Sequence, residues 1–188
     1  MAHGTSTRLL FAHALLPGGW ARDVAIDVNE GGWIISVETG VRMASRDGTV
    51  ALPGLPNLHS HAFQRGMAGL AEVRASSDDS FWTWRNVMYR FLDRLGPVEV
   101  EAIAALAYLE MLEAGFTAVG EFHYLHHAPD GNPYGNLAEM AARIAAAAAT
   151  TGIGLTLLPC FYSSGGFGGQ APDPGQRRFI NDLDGFLN

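Results

Sequence analysis

Residues 52–64 read LPGLPNLHSHAFQ, a short apolar run broken by two prolines that leads into His59 and His61. Side chains at positions i and i+2 of an extended chain point to the same face, so both imidazoles can converge on one ion from a strand end. Imidazole nitrogen suits Zn²⁺ or Fe²⁺, and catalytic metal sites keep an open position for water. Two ligands are too few for tight binding, so the pair predicts at least one further ligand elsewhere.

The composition indicates a packed chain that is acidic overall. The 188 residues are 48% hydrophobic and 16% charged, and 12 basic against 19 acidic residues give a net charge of -7. Every cation is Arg, without basic runs, which argues against nucleic-acid binding. An anionic substrate therefore needs a metal or a placed Arg. The single Cys160 cannot form an internal disulfide, and no apolar stretch reaches transmembrane length, so we expect a cytoplasmic protein without membrane contact.

The first fifty residues predict short β-strands. Strands are expected over 9–16, 23–29 and 33–37, the last two joined by a Gly-Gly hairpin signal. The apolar residues after Arg8 loosely resemble a signal peptide, but His13 interrupts them and a strand pattern follows. We therefore predict that residues 1–50 form the N-terminal part of a small antiparallel β-sandwich domain.

Residues 51–188 alternate apolar strands with helices, which is typical of parallel βαβ units. The strands are expected over 51–58, 116–122 and 153–159. Helices are expected over 80–95, over 97–114, and over 136–152 with Asn136 as cap and Glu139 as its capping-box partner. A Gly-rich loop, 163–175, suggests a mobile loop or lid, and a short helix is expected from about Gln176. Three units do not close an eight-stranded barrel. The chain is therefore either a small open α/β domain or the front portion of something longer.

Polar side chains cluster in sequence near the predicted strand ends, where α/β enzymes place their chemistry. Gln64 and Tyr124 each follow a strand-end histidine by a few residues. Arg85 lies in an aromatic-rich segment, either as an exposed residue of an amphipathic helix or as a guanidinium held by rings for carboxylate recognition.

Three further histidines follow the second strand of this part. His123 can face the same pocket as the His-x-His pair. His126 and His127 are adjacent and cannot both point inward easily, so we expect a solvated or supporting role for at least one of them.

Four segments together resemble the formimidoylglutamate deiminase family of the amidohydrolase superfamily. They read PNLHSHAFQRGMAGLAE, DSFWTWRNVMYRFLDRL, EFHYLHHAPDGNPY and GIGLTLLPCFYSSGGFGGQAPDPGQRRFI. The resemblance implies an α/β fold: the first three β/α units of a (β/α)8 TIM barrel, preceded by the β-sandwich segment. It also implies a metal-dependent hydrolase of histidine degradation that converts N-formimidoyl-L-glutamate and water to N-formyl-L-glutamate and ammonia.

The resemblance also implies residue roles. His59 and His61 become ligands of one Zn²⁺, with iron as the alternative metal, and Gln64, Arg85 and Tyr124 become contacts of a small substrate with two carboxylates. His123 is not a ligand in the family pattern, which leaves it a pocket or supporting residue. The other ligands and the acid–base residues would lie beyond Asn188, so we expect an N-terminal fragment that is inactive alone. A homodimer is one expected assembly.

Two alternatives stay open on the sequence. One is another deaminase of the same superfamily that acts on a heterocycle such as guanine. The other is a non-catalytic α/β binding module in which His59 and His61 are incidental.

Overall fold

The computed structural model describes residues 6–42, 44–70 and 81–187, which form two compact units. The first unit is Met1–Gly54 and the second is Leu55–Asn188. The division follows Gly54, four residues later than the predicted boundary at residue 50. The later boundary arises because residues up to Ala51 still pair within the first unit.

The first unit contains one four-stranded sheet in the order β3-β2-β1-β4. Its strands are β1 (Ser6–Leu16), β2 (Gly19–Asn29), β3 (Ile34–Glu38) and β4 (Gly48–Ala51). The predicted strands are confirmed, and β1 to β3 pair in antiparallel fashion. However, β4 pairs with β1 in parallel, so the expectation of a wholly antiparallel unit is wrong. The connection from β3 to β4 is not a tight hairpin and brings the chain back beside β1 in the same direction.

The second unit contains a parallel three-stranded sheet in the order β5-β6-β7. Its strands are β5 (Leu55–Ser60), β6 (Phe116–His123) and β7 (Gly154–Pro159), and its helices are α1 (Phe81–Leu92), α2 (Pro97–Glu113), α3 (Glu139–Thr151) and α4 (Leu183–Leu187). Sequential parallel strands with intervening helices confirm the predicted α/β class and fit the start of a TIM barrel. The carboxyl ends of β5 and β6 therefore meet at one edge of the sheet.

Helices α2 and α3 follow the 3.6-residue period of an amphipathic helix. Each buries residues at positions i, i+4, i+7 and i+8: Val100, Ala104, Ala107 and Tyr108 in α2, and Met140, Ile144, Ala147 and Ala148 in α3. These faces join Val119 of β6 in the hydrophobic core of the unit. No helix among the described residues is long and apolar enough to cross a membrane.

Two predicted helix boundaries are wrong. Helix α3 begins at Glu139, because the Asn136 side chain accepts the Ala138 N–H (3.1 Å) and its carbonyl accepts the Glu139 N–H (3.0 Å), which makes a turn before the helix. The helix expected from Gln176 is instead a 3₁₀ turn, Pro174–Gln176, followed by α4 seven residues later. The predicted start of α1 at Ser80 lies outside the described residues.

Candidate metal centre and substrate pocket

His59 and His61 lie at the carboxyl end of β5 and point to the same side of the chain. Their Nε2 atoms are 3.1 Å apart. Two imidazole nitrogens on one tetrahedral Zn²⁺, each at about 2.0–2.1 Å, lie about 3.3 Å from one another. The observed separation is therefore close to the one that a shared zinc ion requires.

The carbonyl of Phe122 on β6 fixes the orientation of the His61 ring. His61 Nδ1–H donates to this carbonyl at 2.8 Å, so in the neutral imidazole the Nε2 lone pair is left available for a metal. Burial lowers the pKa of the His61 imidazole, which also favours the neutral form that binds metals. The Phe122 ring packs against His59 with a centroid separation of 4.4 Å.

The pair does not make a complete metal site by itself. Within the part of the chain that the structure describes, no three or more His, Cys, Asp or Glu side chains form a group that could hold a metal ion. The metal-binding role of His59 and His61 stays a prediction.

Next to His61 is a cavity of about 570 Å³ that brings the sequence-predicted substrate residues together. Its walls are His61, Gln64, Arg85 and Tyr124, with Trp84, Met88, Tyr89, Cys160, Tyr162 and Phe179. Gln64 Nε2 donates to the Tyr124 hydroxyl at 2.9 Å across the mouth of the sheet. Burial raises the pKa of Tyr124, so its hydroxyl stays protonated at neutral pH and can donate to a ligand.

Arg85 reaches the cavity from α1. Its Nη2 contacts Asp173 Oδ2 at 3.2 Å, and its guanidinium carbon lies 5.5 Å from the centre of the Tyr89 ring. Asp173 is itself fixed, because its Oδ1 accepts the Gly175 N–H and its N–H donates to Gln176 Oε1, both at 2.9 Å. The loop 163–175 thus contributes a carboxylate that orients the predicted carboxylate-binding Arg.

His123, His126 and His127 line a separate cavity of about 400 Å³. His123 is 3% exposed, and burial lowers its pKa to about 3. The Nε2 atoms of His126 and His127 lie 3.1 Å from the Cys160 carbonyl and 2.8 Å from the Ile180 carbonyl. The expectation that His123 faces the pocket of the His-x-His pair is therefore wrong. His126 and His127 instead connect the segment after β6 to later loops.

Sequence reasoning assigned no role in the site to Glu121 or Asp173. Glu121 is 1% exposed, and its Oε1 accepts the Ala62 N–H, next to His61, at 2.7 Å. The available signal was a lone carboxylate within the apolar strand VGEFH, where an ionised side chain needs a specific partner. For Asp173 the signal was an Asp-Pro-Gly sequence, which is typical of a turn whose side chain caps the backbone.

Comparison with known proteins gives consistent results for both units. Residues 7–49 match the family model described as formimidoylglutamate deiminase HutF, N-terminal domain. Over 176 residues the chain is 54% identical to the formimidoylglutamate deiminase of Pseudomonas aeruginosa, covering 93% of this chain and 39% of that enzyme.

Solved structures give the same fold. The crystal structure of an amidohydrolase from Brucella melitensis superposes with a TM-score of 0.87 at 58% identity, covering 95% of this chain and 40% of that one. A mutant of atrazine chlorohydrolase from Arthrobacter aurescens, in complex with zinc and atraton, superposes with a TM-score of 0.66 at 20% identity, over 95% of this chain and 41% of that one. The chain thus spans about two fifths of the length of the relatives that it matches.

Proposed function

We propose that this chain carries part of the active site of a metal-dependent deiminase, because over 93% of its length it is 54% identical to one curated formimidoylglutamate deiminase. The proposed substrate is N-formimidoyl-L-glutamate. The observation that carries the proposal is the single cavity that His61 shares with Gln64, Arg85 and Tyr124, beside the paired Nε2 atoms of His59 and His61.

The proposed reaction hydrolyses a carbon–nitrogen bond. The oxygen of water bonds to the formimidoyl carbon, and the C=N bond from this carbon to the terminal nitrogen breaks as the C=O bond of the formyl group forms. Both protons of the water pass to the terminal nitrogen, which leaves as ammonia. The products are N-formyl-L-glutamate and ammonia. A zinc ion at His59 and His61 would supply an activated water at neutral pH.

The residues of this chain bind and orient the substrate. Arg85 offers a guanidinium to one of the two substrate carboxylates, in a pocket whose other walls are largely aromatic. The Gln64 amide and the Tyr124 hydroxyl, already bonded to each other at 2.9 Å, offer further hydrogen bonds next to His61. The remaining ligands and the acid–base group would come from sequence that corresponds to the other three fifths of the curated relative.

The test is a chimeric enzyme in which residues 1–188 replace the matching part of the Pseudomonas aeruginosa relative. The expected result is release of ammonia from N-formimidoyl-L-glutamate that is lost with a chelator and restored by Zn²⁺. His59→Ala and His61→Ala should lower both the zinc content and the rate. Unchanged zinc content in both variants would instead support a non-catalytic binding module.

Arg85 separates the diacid substrate from a neutral heterocycle. Loss of a charged hydrogen-bonding group costs about 1.5–3 kcal/mol, so Arg85→Met should raise KM for N-formimidoyl-L-glutamate by about 10- to 150-fold. Arg85→Lys is the matched control, because it keeps the positive charge but lacks the planar guanidinium that can bind a carboxylate with two hydrogen bonds. Turnover of guanine by the chimera that is unaffected by Arg85→Met would overturn the proposed substrate in favour of a heterocycle deaminase.

A further inference from the structure

His61 lies at the N-cap position of a 3₁₀ helix, where the side chain of the residue often accepts a hydrogen bond from the first helical N–H groups. It is the residue before the 3₁₀ helix Ala62–Met67, and its side chain makes no capping hydrogen bond. Its ring is engaged elsewhere, with Nδ1 on the Phe122 carbonyl and Nε2 facing His59. The first N–H groups of a helix have no partner within the helix, so the N–H of Ala62 needs another acceptor.

Glu121 supplies this acceptor from the neighbouring strand. Its Oε1 accepts the Ala62 N–H at 2.7 Å, and the residue is 1% exposed. Glu121 is the register partner of Ser60, so the strand pairing holds the carboxylate directly under the turn between His59 and Ala62. A carboxylate is favoured at a helix N-terminus and is costly to bury without such a bond.

The capped 3₁₀ helix connects the two parts of the proposed site. It begins immediately after His61, carries Gln64 into the substrate cavity, and anchors Phe63 and Met67 in the core. A displacement of Ala62 would therefore move the His61 ring and the Gln64 amide together.

We propose that Glu121 is a positioning residue for the metal centre: its carboxylate holds the Ala62 N–H so that His61 Nε2 stays beside His59 Nε2. This inference rests on the proposed function, because the proposed function assigns a metal ion to His59 and His61. A merely structural role would instead make Glu121 a stabiliser of the fold with no specific effect on the His61 ring.

The first experiment uses the metal-free 188-residue chain and NMR. In the wild type, slow exchange of the Ala62 amide hydrogen and an Nδ1–H tautomer of His61 are expected. Glu121→Leu should speed Ala62 exchange by about fivefold to tenfold, the ratio that corresponds to loss of one ordinary hydrogen bond. It should also mix the His61 tautomers, and Glu121→Gln, which retains an acceptor of similar shape, should give a smaller effect in the same direction.

Val119→Ala is the matched control. Val119 lies on the same strand and the same face, two residues before Glu121, and is 2% exposed. This substitution opens a cavity in the core without touching the Ala62 N–H. It should lower the thermal stability. The His61 tautomer should remain as in the wild type, and so should the exchange rate of the Ala62 amide hydrogen relative to neighbouring amides.

The second experiment titrates the same four proteins with Zn²⁺ and measures the dissociation constant from the His59 and His61 resonances. Partners that orient a metal-binding His typically change metal affinity by about 10- to 100-fold. Glu121→Leu should raise the dissociation constant for Zn²⁺ by about 10- to 100-fold, and Glu121→Gln should raise it by about threefold to tenfold. Val119→Ala should keep the dissociation constant within about twofold of the wild-type value.

Failure of this proposal is distinguishable from failure of the proposed function. If His59→Ala binds Zn²⁺ as tightly as the wild type, the proposed metal site fails, while Ala62 exchange and the His61 tautomer still decide the role of Glu121. If both Glu121 variants leave these two signals unchanged, or lose no more affinity than Val119→Ala, the positioning role is overturned. Should Glu121→Leu not fold, Glu121→Gln decides by the same criteria.

Discussion

The His123 imidazole has a lowered pKa, with burial as the largest cause and the nearby His126 adding to it. It is 3% exposed, and desolvation in the interior lowers its pKa from 6.5 to about 3. In the unfolded chain the same imidazole takes a proton below about pH 6.5. His123 therefore contributes stability above that pH, and the contribution declines as the pH falls from about 6.5 to about 3.

His123→Gln should reduce the pH dependence of unfolding. Between pH 8 and pH 5, protonation of the unfolded state costs the wild type up to about 2 kcal/mol at this one residue, and the variant should lose correspondingly less. Urea unfolding at the two pH values measures the difference. Val119→Ala, which changes the core on the same strand without altering a titratable group, should keep the wild-type dependence. An identical decline for His123→Gln and the wild type would show that burial of this imidazole does not govern acid stability.

Arg85, the predicted carboxylate-binding residue, forms an ion pair with Asp173. The ion pair with Asp173 leaves the Arg85 side chain 26% and the Asp173 side chain 40% exposed, so the attraction between them is modest. The pair holds the guanidinium on one wall of the cavity, and such preorganisation would lower the ordering cost of binding the proposed substrate.

Among the elements, the 3₁₀ turn Pro174–Gln176 depends on close packing against α1. A Cβ atom built on Gly175 would lie 2.2 Å from the Tyr89 ring, far inside van der Waals contact. Only a residue without a side chain lets this turn approach α1 and hold Asp173 near Arg85.

Gly175→Ala should therefore destabilise the second unit by about 1–3 kcal/mol, the usual cost of overpacking. Urea unfolding measures the loss, and Arg85→Met in the same background should add little if the turn has already moved. Gly135→Ala is the control, because a Cβ at that position meets no atom within 4 Å and should leave stability nearly unchanged. Equal stability of both variants would mean that the Tyr89 ring moves aside easily.

At the scale of the whole molecule, β7 has an unpaired edge within the described part of the chain. The parallel sheet has the order β5-β6-β7, and Leu158 on β7 is 36% exposed. Unpaired strand edges with apolar side chains are templates for association. A sheet of this kind is expected to pair with another copy of the chain when nothing else covers it.

We expect the 188-residue chain to self-associate at micromolar concentration, as measured by light scattering coupled to size exclusion. Leu158→Lys, which places a charge on the edge strand, should shift the chain toward monomer. Leu109→Lys, on an exposed position of α2, is the control and should have little effect. A wild-type chain that is monomeric and unfolds cooperatively would contradict this prediction.

The same chain should release no ammonia from N-formimidoyl-L-glutamate. The His59–His61 pair brings two imidazoles to one point, and the described residues contain no group of three or more metal-binding side chains, whereas catalytic zinc sites use three protein ligands as a rule. A coupled ammonia assay with added Zn²⁺ measures this, with the chimeric enzyme as positive control. Turnover by the isolated chain that disappears with a chelator would show that the two histidines suffice.

The sequence by itself determined the elements and the candidate residues. Apolar periods of two and of 3.6 residues depend only on neighbours in the chain, so the strands and most helices followed from them, and the His59-x-His61 spacing predicted two imidazoles on one side. The structure corrected two expectations that depend on contacts between distant residues. Strand β4 pairs in parallel with β1, and His123 lines a separate cavity.

Only the tertiary structure decided which side chains meet. Gln64 and Tyr124 are 60 residues apart in sequence, Arg85 and Asp173 are 88 apart, and Glu121 reaches Ala62 across 59 residues. No local pattern records such contacts, because they depend on the order of the strands and on how closely each loop can approach its neighbour. A carboxylate within an apolar strand signals that a partner must exist, and the fold alone shows that the partner is the turn that carries His61.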